Sequence, residues 1–213
     1  MIIKVCGMTR KENIAALQHL DVDLVGLIFA PQSPRYVGQD PDAIYGDDTP
    51  IGVRPQPKVG VFVNEELPVL FRTAYRFFLS YVQLHGDETP AYVSRLRSML
   101  PPSAYIIKTI SVRSADDVKR TEEYDNVVDY FLFDTKCPMR GGSGCQFDWD
   151  ILHAYSGCTP FLLSGGIGEE DAARIKGFRH PEFAGIDLNS KFETAPGVKD
   201  IEKLKAFIAA VRS

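Results

Sequence analysis

The chain is poor in the features that mark several classes of protein. Its 213 residues include only four cysteines, at positions 6, 137, 145 and 158. No two of them have the C-x-x-C spacing of a structural zinc site, and the spacing suggests no disulfide framework. We therefore expect Cys137, Cys145 and Cys158 to be small buried hydrophobic residues. Cys6 stands apart because it ends the first apolar run.

Long hydrophobic runs and an excess of positive charge are also missing. No apolar run approaches the roughly 18 residues of a membrane helix, so we expect no membrane partner. The first segment lacks the basic start and long apolar core of a signal peptide, so we expect a cytoplasmic protein. The formal net charge of −4 argues against a nucleic-acid partner, because nucleic acids are bound by basic surfaces.

Short apolar runs alternate with amphipathic segments along the whole chain. The runs are rich in Val, Ile, Leu and Phe, as in parallel strands that are buried on both faces. They predict strands over 2–6, 24–29, 58–63, 81–85, 105–110, 130–134, 160–164 and 183–188. The segments between them predict helices over 10–16, 40–46, 66–78, 89–99, 115–124, 148–154, 169–176 and 200–211. Thr9 is the expected N-cap of the first helix.

Strict alternation of strands and helices implies parallel strands joined by right-handed crossovers. Such a sheet is either open and doubly wound or closed into a barrel. Eight repeats, with no G-x-G-x-x-G after the first strand, favour the barrel. We therefore predict an α/β fold, a single (β/α)8 TIM barrel, with residues 1–213 forming one domain.

Two predicted strands end on residues that can move protons. The carboxyl ends of all strands open onto one face of a barrel, where active sites lie. The first strand ends at Cys6 and the sixth at Asp134. A thiolate near a cation such as Lys4 could act as a general base. A carboxyl group kept protonated by apolar surroundings could act as a general acid.

Other polar residues near the strand ends leave two interpretations open. Lys4, Lys108 and Asp187 are best interpreted as a structural ion-pair network, with Asp134 and Asp187 as available carboxylates. His85 shares a strand face with Gln83 and suits a structural or a catalytic role equally well. Arg35 is either an exposed loop residue or a bidentate partner for a carboxylate.

Glycine clusters follow the sixth and seventh predicted strands, and polar residues follow the eighth. Glycines let backbone N–H groups close around an anion, and these loops are the usual phosphate site of such barrels. Tight turns alone are the alternative explanation. The candidate phosphate-binding residues are Gly142, Gly144, Ser164, Gly165, Gly166, Asn189 and Ser190.

Several segments, taken in order, resemble the phosphoribosylanthranilate isomerase family over nearly the whole chain. They are Lys4-Val5-Cys6-Gly7-Met8-Thr9, Ser33-Pro34-Arg35-Tyr36, Val82-Gln83-Leu84-His85-Gly86, Asp134-Thr135-Lys136, Gly141-Gly142-Ser143-Gly144, Leu163-Ser164-Gly165-Gly166 and Pro196-Gly197-Val198-Lys199-Asp200.

The resemblance implies an Amadori rearrangement in tryptophan biosynthesis without metal or organic cofactor. N-(5′-phosphoribosyl)anthranilate would become 1-(2-carboxyphenylamino)-1-deoxyribulose 5-phosphate. By resemblance, Cys6 is the general base, Asp134 the general acid, and Arg35 faces the anthranilate carboxylate. His85 joins the substrate site, and the glycine loops hold the phosphate. The partner is then a small phosphorylated substrate, and the enzyme is a monomer or a homodimer.

One departure from the family and two alternative functions remain. Many members carry a Ser-Ser-Gly-Val-Glu-like run where this chain has Asn189-Ser190-Lys191-Phe192-Glu193, so Asn189 and Lys191 become candidate phosphate contacts. A phosphosugar isomerase of histidine biosynthesis, or a bifunctional enzyme, resembles this chain but typically has aspartate where Cys6 stands. A barrel that binds a phosphosugar without catalysis would need no acid–base pair.

Overall fold

The computed structural model describes residues 1–44, 56–135 and 147–213. Eight parallel strands pair in chain order and close into a barrel, which confirms the predicted fold class. The strands are β1 (Ile2–Val5), β2 (Leu24–Ile28), β3 (Lys58–Phe62), β4 (Tyr81–Leu84), β5 (Tyr105–Val112), β6 (Tyr130–Thr135), β7 (Phe161–Leu163) and β8 (Phe183–Leu188). We call the face at their carboxyl ends the mouth of the barrel.

Helices cover the outside of the barrel. They are α1 (Lys11–Leu17), α2 (Leu67–Arg76), α3 (Pro90–Met99), α4 (Ala115–Lys119), α5 (Ala172–Gly177) and α6 (Ile201–Arg212). Most apolar side chains lie in one cluster that includes residues of strands and helices. Along the parts of the chain that the structure describes, no helix has the length and hydropathy needed to cross a bilayer.

Side chains inside the barrel follow the two-residue period of the strands. A small inner cluster is formed by Leu24, Val59, Ile107, Leu132 and Leu162, one from each of five strands. On β1, Ile2 packs against this cluster, so Lys4 and then Cys6 follow on the same inward face. Asp187 of β8 is in register with Lys4. The inside of the barrel is therefore apolar at the inner cluster and carries charged groups closer to the mouth.

Several predicted helices are short 3₁₀ segments. The region predicted over 148–154 is a 3₁₀ helix from Trp149 to Ala154, which buries Trp149 and Leu152. Those residues are three apart, and the three-residue turn of a 3₁₀ helix puts both on one face. The 3₁₀ segment Pro41–Ala43 replaces the helix predicted over 40–46, of which residues 45 and 46 lie outside the described chain.

Two local predictions are wrong. Thr9 does not cap α1, whose N-cap is Arg10 without a side-chain hydrogen bond; the Thr9 hydroxyl donates instead to the carbonyl of Gly197 at 3.0 Å. Cys158 is exposed, not buried, because it lies in the loop before β7. Cys137 and Cys145 lie outside the described residues.

A hairpin after β8 has no counterpart among the predicted elements. Strands β9 (Glu193–Ala195) and β10 (Val198–Lys199) pair antiparallel around Pro196 and Gly197. Gly197 has a φ of +85°, as the third residue of a type II turn requires, and proline suits the second. The hairpin places Lys199 opposite Glu193.

Candidate active site

The Cys6 thiol lies at the carboxyl end of β1 in a tightly enclosed space. Cys6 is 4% exposed, and its backbone N–H donates to the carbonyl of Leu188 at 2.9 Å. Gly26 of β2 leaves the room that the thiol occupies, since a Cβ there would stand 2.6 Å from Sγ. Any larger residue at position 26 would therefore displace the thiol.

A buried ion pair lies directly beneath the thiol. Lys4 Nζ contacts Asp187 Oδ1 at 2.8 Å, and the hydroxyl of Ser164 donates to Asp187 Oδ2 at 3.3 Å. Burial acts to lower the pKa of Lys4, but Asp187 and Cys6 outweigh it and the pKa is raised. Lys4 therefore stays cationic, which confirms the interpretation of Lys4 and Asp187 as an ion pair.

The pKa of the Cys6 thiol reflects both its burial and its charged neighbours. Burial raises the pKa of the Cys6 thiol, because a thiolate loses its hydration, and the neighbouring Lys4 cation only partly offsets this. Asp187 adds to the rise. The raised pKa favours the protonated thiol, held next to a cation that would stabilise its ionised form.

Asp134 lies across the mouth from this pair and is more exposed. It is the inward residue near the end of β6, and its Oδ1 accepts from the Thr135 backbone N–H at 2.9 Å. His85 Nε2 lies 3.4 Å from Asp134 Oδ2, and the two side chains are 34% and 24% exposed. His85 therefore lies next to the candidate acid. It also shares a strand face with Gln83, as predicted, since the Gln83 amide nitrogen lies 3.1 Å from His85 Nδ1.

Arg35 is buried and already paired. Its Nε and Nη2 donate to the Glu193 carboxylate at distances of 2.6–3.1 Å. Lys199 Nζ also contacts Glu193, at 2.6 Å, and donates to Asn189 Oδ1 at 2.8 Å. Two cations thus flank one carboxylate, and the group keeps a net positive charge beside the mouth. Of the two interpretations of Arg35, the structure therefore supports the bidentate partner of a carboxylate and not the exposed loop residue.

The loop after β7 comes close to the candidate acid. Gly165 has a φ of +92°, and a Cβ there would lie 2.9 Å from Asp134 Oδ1 and 2.2 Å from Thr135 Oγ1. Only glycine therefore fits. Gly166 also has positive φ, at +67°. The hydroxyl of Ser164, by contrast, is directed to Asp187 inside the barrel.

The remaining phosphate candidates lie on two loops. Asn189 and Ser190 follow β8, where Ser190 begins a short 3₁₀ segment and the Asn189 oxygen is held by Lys199. Gly142 and Gly144 lie outside the described residues. The described loops after β7 and β8 are therefore neighbours at the mouth, since their strands are paired.

Lys108 was predicted to find Asp134 or Asp187, and this is wrong. Ile107 belongs to the inner cluster and Thr109 contacts His85, so Lys108 faces outward. There Nζ pairs with Glu88 at 3.0 Å and donates to the carbonyl of Gly86 at 2.8 Å. Lys108 therefore does pair with a carboxylate, but that carboxylate belongs to Glu88.

Sequence reasoning assigned no role to Glu193, Lys199 or Thr109. Glu193 and Lys199 meet only because of the β9–β10 hairpin, and the signal for it was Pro196-Gly197 between short polar runs. Thr109 is two positions from Ile107 on the same face of β5, but only the register of β5 with its neighbours brings it to His85.

Comparisons with known proteins identify the family of the chain. A family model described as N-(5′-phosphoribosyl)anthranilate (PRA) isomerase matches residues 3–210. The N-(5′-phosphoribosyl)anthranilate isomerase of Parabacteroides distasonis is 47% identical over 211 residues, which cover 99% of this chain and 93% of that protein.

Solved structures show the same similarity. Phosphoribosyl anthranilate isomerase from Thermus thermophilus matches with a TM-score of 0.82 and 26% identity, covering 100% of this chain and 98% of that one. A phosphoribosyl anthranilate isomerase in complex with reduced 1-(o-carboxyphenylamino)-1-deoxyribulose 5-phosphate matches with a TM-score of 0.78 and 28% identity, covering 100% and 99%. With the family model spanning nearly all of it, this chain belongs to the N-(5′-phosphoribosyl)anthranilate isomerase family.

Proposed function

We propose that the protein isomerises N-(5′-phosphoribosyl)anthranilate to 1-(2-carboxyphenylamino)-1-deoxyribulose 5-phosphate, a step of tryptophan biosynthesis. The observation that carries the proposal is the pairing, at one barrel mouth, of a buried thiol above a lysine and a partly exposed carboxyl group beside a histidine. Family membership supplies the substrate class.

The reaction needs one acid and one base in succession. Asp134 would give its proton to the furanose ring oxygen, and the bond between that oxygen and C1′ would break to leave an iminium ion. Cys6, as thiolate, would then take the proton from C2′ to give an enolamine. Protonation at C1′ and loss of the hydroxyl proton at C2′ complete the ketone. Positioned acids and bases each contribute on the order of 10²–10⁴-fold to such steps.

The enclosed position of Cys6 supports the role of base. The Lys4 cation beside it would stabilise the thiolate once it forms, while the buried position of Cys6 excludes water that could compete for the carbon-bound proton. Because the thiol is protonated at rest, the fraction of active enzyme rises with pH.

The two ends of the substrate carry negative charge and would be held separately. Arg35 keeps one guanidinium nitrogen, Nη1, without a partner among the described residues, and this nitrogen would bind the anthranilate carboxylate. The loops at 164–166 and 189–190 would bind the phosphate, together with the glycine loop 141–144.

The test is to generate phosphoribosylanthranilate in situ and follow the loss of its fluorescence with purified protein. Proton NMR of the product must show the C1′ methylene group that the ketose acquires. Arg35→Ala should raise KM by about tenfold, whereas Arg72→Ala, an exposed arginine on α2, should not. Saturable binding without turnover would instead identify a phosphosugar-binding barrel, and turnover of a histidine-pathway phosphosugar alone would identify the other isomerase.

The number of subunits is a separate question. One solved relative is named as monomers derived from a dimeric phosphoribosylanthranilate isomerase of Thermotoga maritima. We therefore propose a monomer or homodimer for this chain, to be decided by sedimentation equilibrium.

A further inference from the structure

A chain of polar side chains runs across the mouth from β5 to β4 and on to the candidate acid. Gln83 is 1% exposed and Thr109 is 5% exposed. The amide nitrogen of Gln83 lies 3.2 Å from Thr109 Oγ1 and 3.1 Å from His85 Nδ1. The other ring nitrogen of His85 faces Asp134. Two buried polar side chains thus contact the histidine.

The hydrogen bonds of Gln83 fix the direction in which its amide points. Its two N–H groups meet two acceptors, while Oε1 has no partner among the described residues. Rotating the amide by 180° would instead leave both N–H groups buried without a partner. Because every unmade buried hydrogen bond costs free energy, the orientation with one unsatisfied acceptor is favoured over the one with two unsatisfied donors.

This direction determines where the imidazole carries its proton. Nδ1 accepts from the Gln83 amide, and the hydroxyl of Thr109, at 3.3 Å, is a second group able to donate to it. A neutral imidazole that accepts at Nδ1 carries its proton at Nε2. We propose that Gln83 is a positioning residue that fixes this tautomer of His85, so that Nε2–H is directed at Asp134 Oδ2.

The consequence concerns the carboxylate that forms during the reaction, and this part rests on the proposed function. When the Asp134 proton passes to the substrate ring oxygen, a negative charge appears on the carboxyl group. An N–H already directed at it stabilises that charge, whereas the other tautomer would present a lone pair. In this role the His85 ring transfers no proton; it only directs its N–H group at the acid.

The first test measures the tautomer directly. The chain has four histidines, so ¹⁵N spectra of the labelled wild-type protein and of His85→Gln identify the His85 signals. The expected result is an unprotonated Nδ1 and a protonated Nε2. A protonated Nδ1 with an unprotonated Nε2 in the wild-type protein would overturn the proposal.

The second test reverses the polarity of the buried amide. In Gln83→Glu the ionised side chain can only accept. Nδ1 should then become protonated, and kcat should fall on the order of 10–100-fold with KM changed less than about twofold. Thr109→Val, which removes only the second donor, should keep the tautomer and lower kcat by a smaller factor. Gln18→Glu at the end of α1 is the matched control and should change neither.

The outcomes separate this proposal from the proposed function. A reversed tautomer in Gln83→Glu with unchanged kcat would overturn the positioning role even if isomerisation is confirmed. Absence of isomerase activity in the wild-type protein would refute the proposed function, while its ¹⁵N spectrum would still decide the tautomer. If Gln83→Glu does not fold, the wild-type spectrum and Thr109→Val decide the proposal.

Discussion

The two sides of the barrel mouth hold their reactive groups by different means. On the β1 side, formed by Cys6, Lys4, Asp187 and the Arg35–Glu193–Lys199 group, nearly every polar group is buried and paired with a full charge. On the β6 side, formed by Asp134, His85, Gln83 and Thr109, the reactive groups are partly exposed, and the supporting side chains are an amide and a hydroxyl.

This difference follows from what each proton transfer requires. A base that takes a proton from carbon works best away from water, but a buried thiolate forms only with a cation close by. An acid that protonates an oxygen on a mobile substrate needs access to that oxygen, and hydrogen bonds from neighbouring side chains can orient its carboxyl group. Mutations on the β1 side should therefore affect stability strongly, and those on the β6 side mainly activity.

Lys4→Met gives the largest contrast in stability. Removing the cation leaves Asp187 buried without its partner, so the free energy of unfolding should fall by about 3–5 kcal/mol. His85→Asn on the β6 side should cost less than about 1 kcal/mol, because the ring is one-third exposed. Urea denaturation of the two variants at neutral pH measures both values, and equal losses would contradict the comparison.

Glu193→Gln tests the second charged group of the β1 side. Burial acts to raise the pKa of Glu193, but Arg35 and Lys199 hold it below its usual value. The carboxylate therefore contributes stability above about pH 4.3, and this contribution is lost as the pH falls through the lowered pKa. At pH 7 the variant should lose about 1.5–3 kcal/mol, the range for a hydrogen bond to a charged group.

The pH dependence of unfolding distinguishes this effect from simple loss of packing. Between about pH 5 and 3, the free energy of unfolding should fall less steeply in Glu193→Gln than in the wild-type protein, because one shifted carboxyl group is gone. Parallel curves would show that Glu193 does not titrate with the lowered pKa. Glu202→Gln, on the first turn of α6, provides the matched control.

The ionisation of Cys6 gives the smallest expected change. Its raised pKa predicts a thiol at pH 7 that ionises above the ordinary value of about 8.5. The ultraviolet absorbance of the thiolate, taken as the difference between wild type and Cys6→Ala, should appear only in alkaline solution. The turnover rate should rise severalfold between about pH 7 and 8. Thiolate absorbance already present at pH 7 would contradict the account.

Much of this architecture could be predicted from the sequence because strand geometry is simple. A two-residue period correctly placed Lys4 with Cys6 and Gln83 with His85, and the alternation of elements correctly predicted the barrel. The same period did not say which face of β5 turns inward, so the partner of Lys108 was wrong. Which residues share a face of a strand is a local property of that strand. Which of its two faces turns inward depends on the whole barrel.

The charges around Arg35 could not be predicted for a different reason. They depend on a hairpin with only five strand residues, and strands this short show no periodic pattern. The raised pKa of Cys6 could not be predicted either, because a nearby lysine is visible in the sequence but the degree of burial is not. Burial depends on how all eight strands pack.

The most direct test of the account is the rate of phosphoribosylanthranilate isomerisation, followed by fluorescence, in Cys6→Ala and Asp134→Asn. Each variant should lower kcat on the order of 10²–10⁴-fold, with wild-type circular dichroism. Cys158→Ala, which changes an exposed cysteine, should leave kcat unchanged. Near-wild-type turnover in either Cys6→Ala or Asp134→Asn would contradict the assignment of base and acid to opposite sides of the mouth.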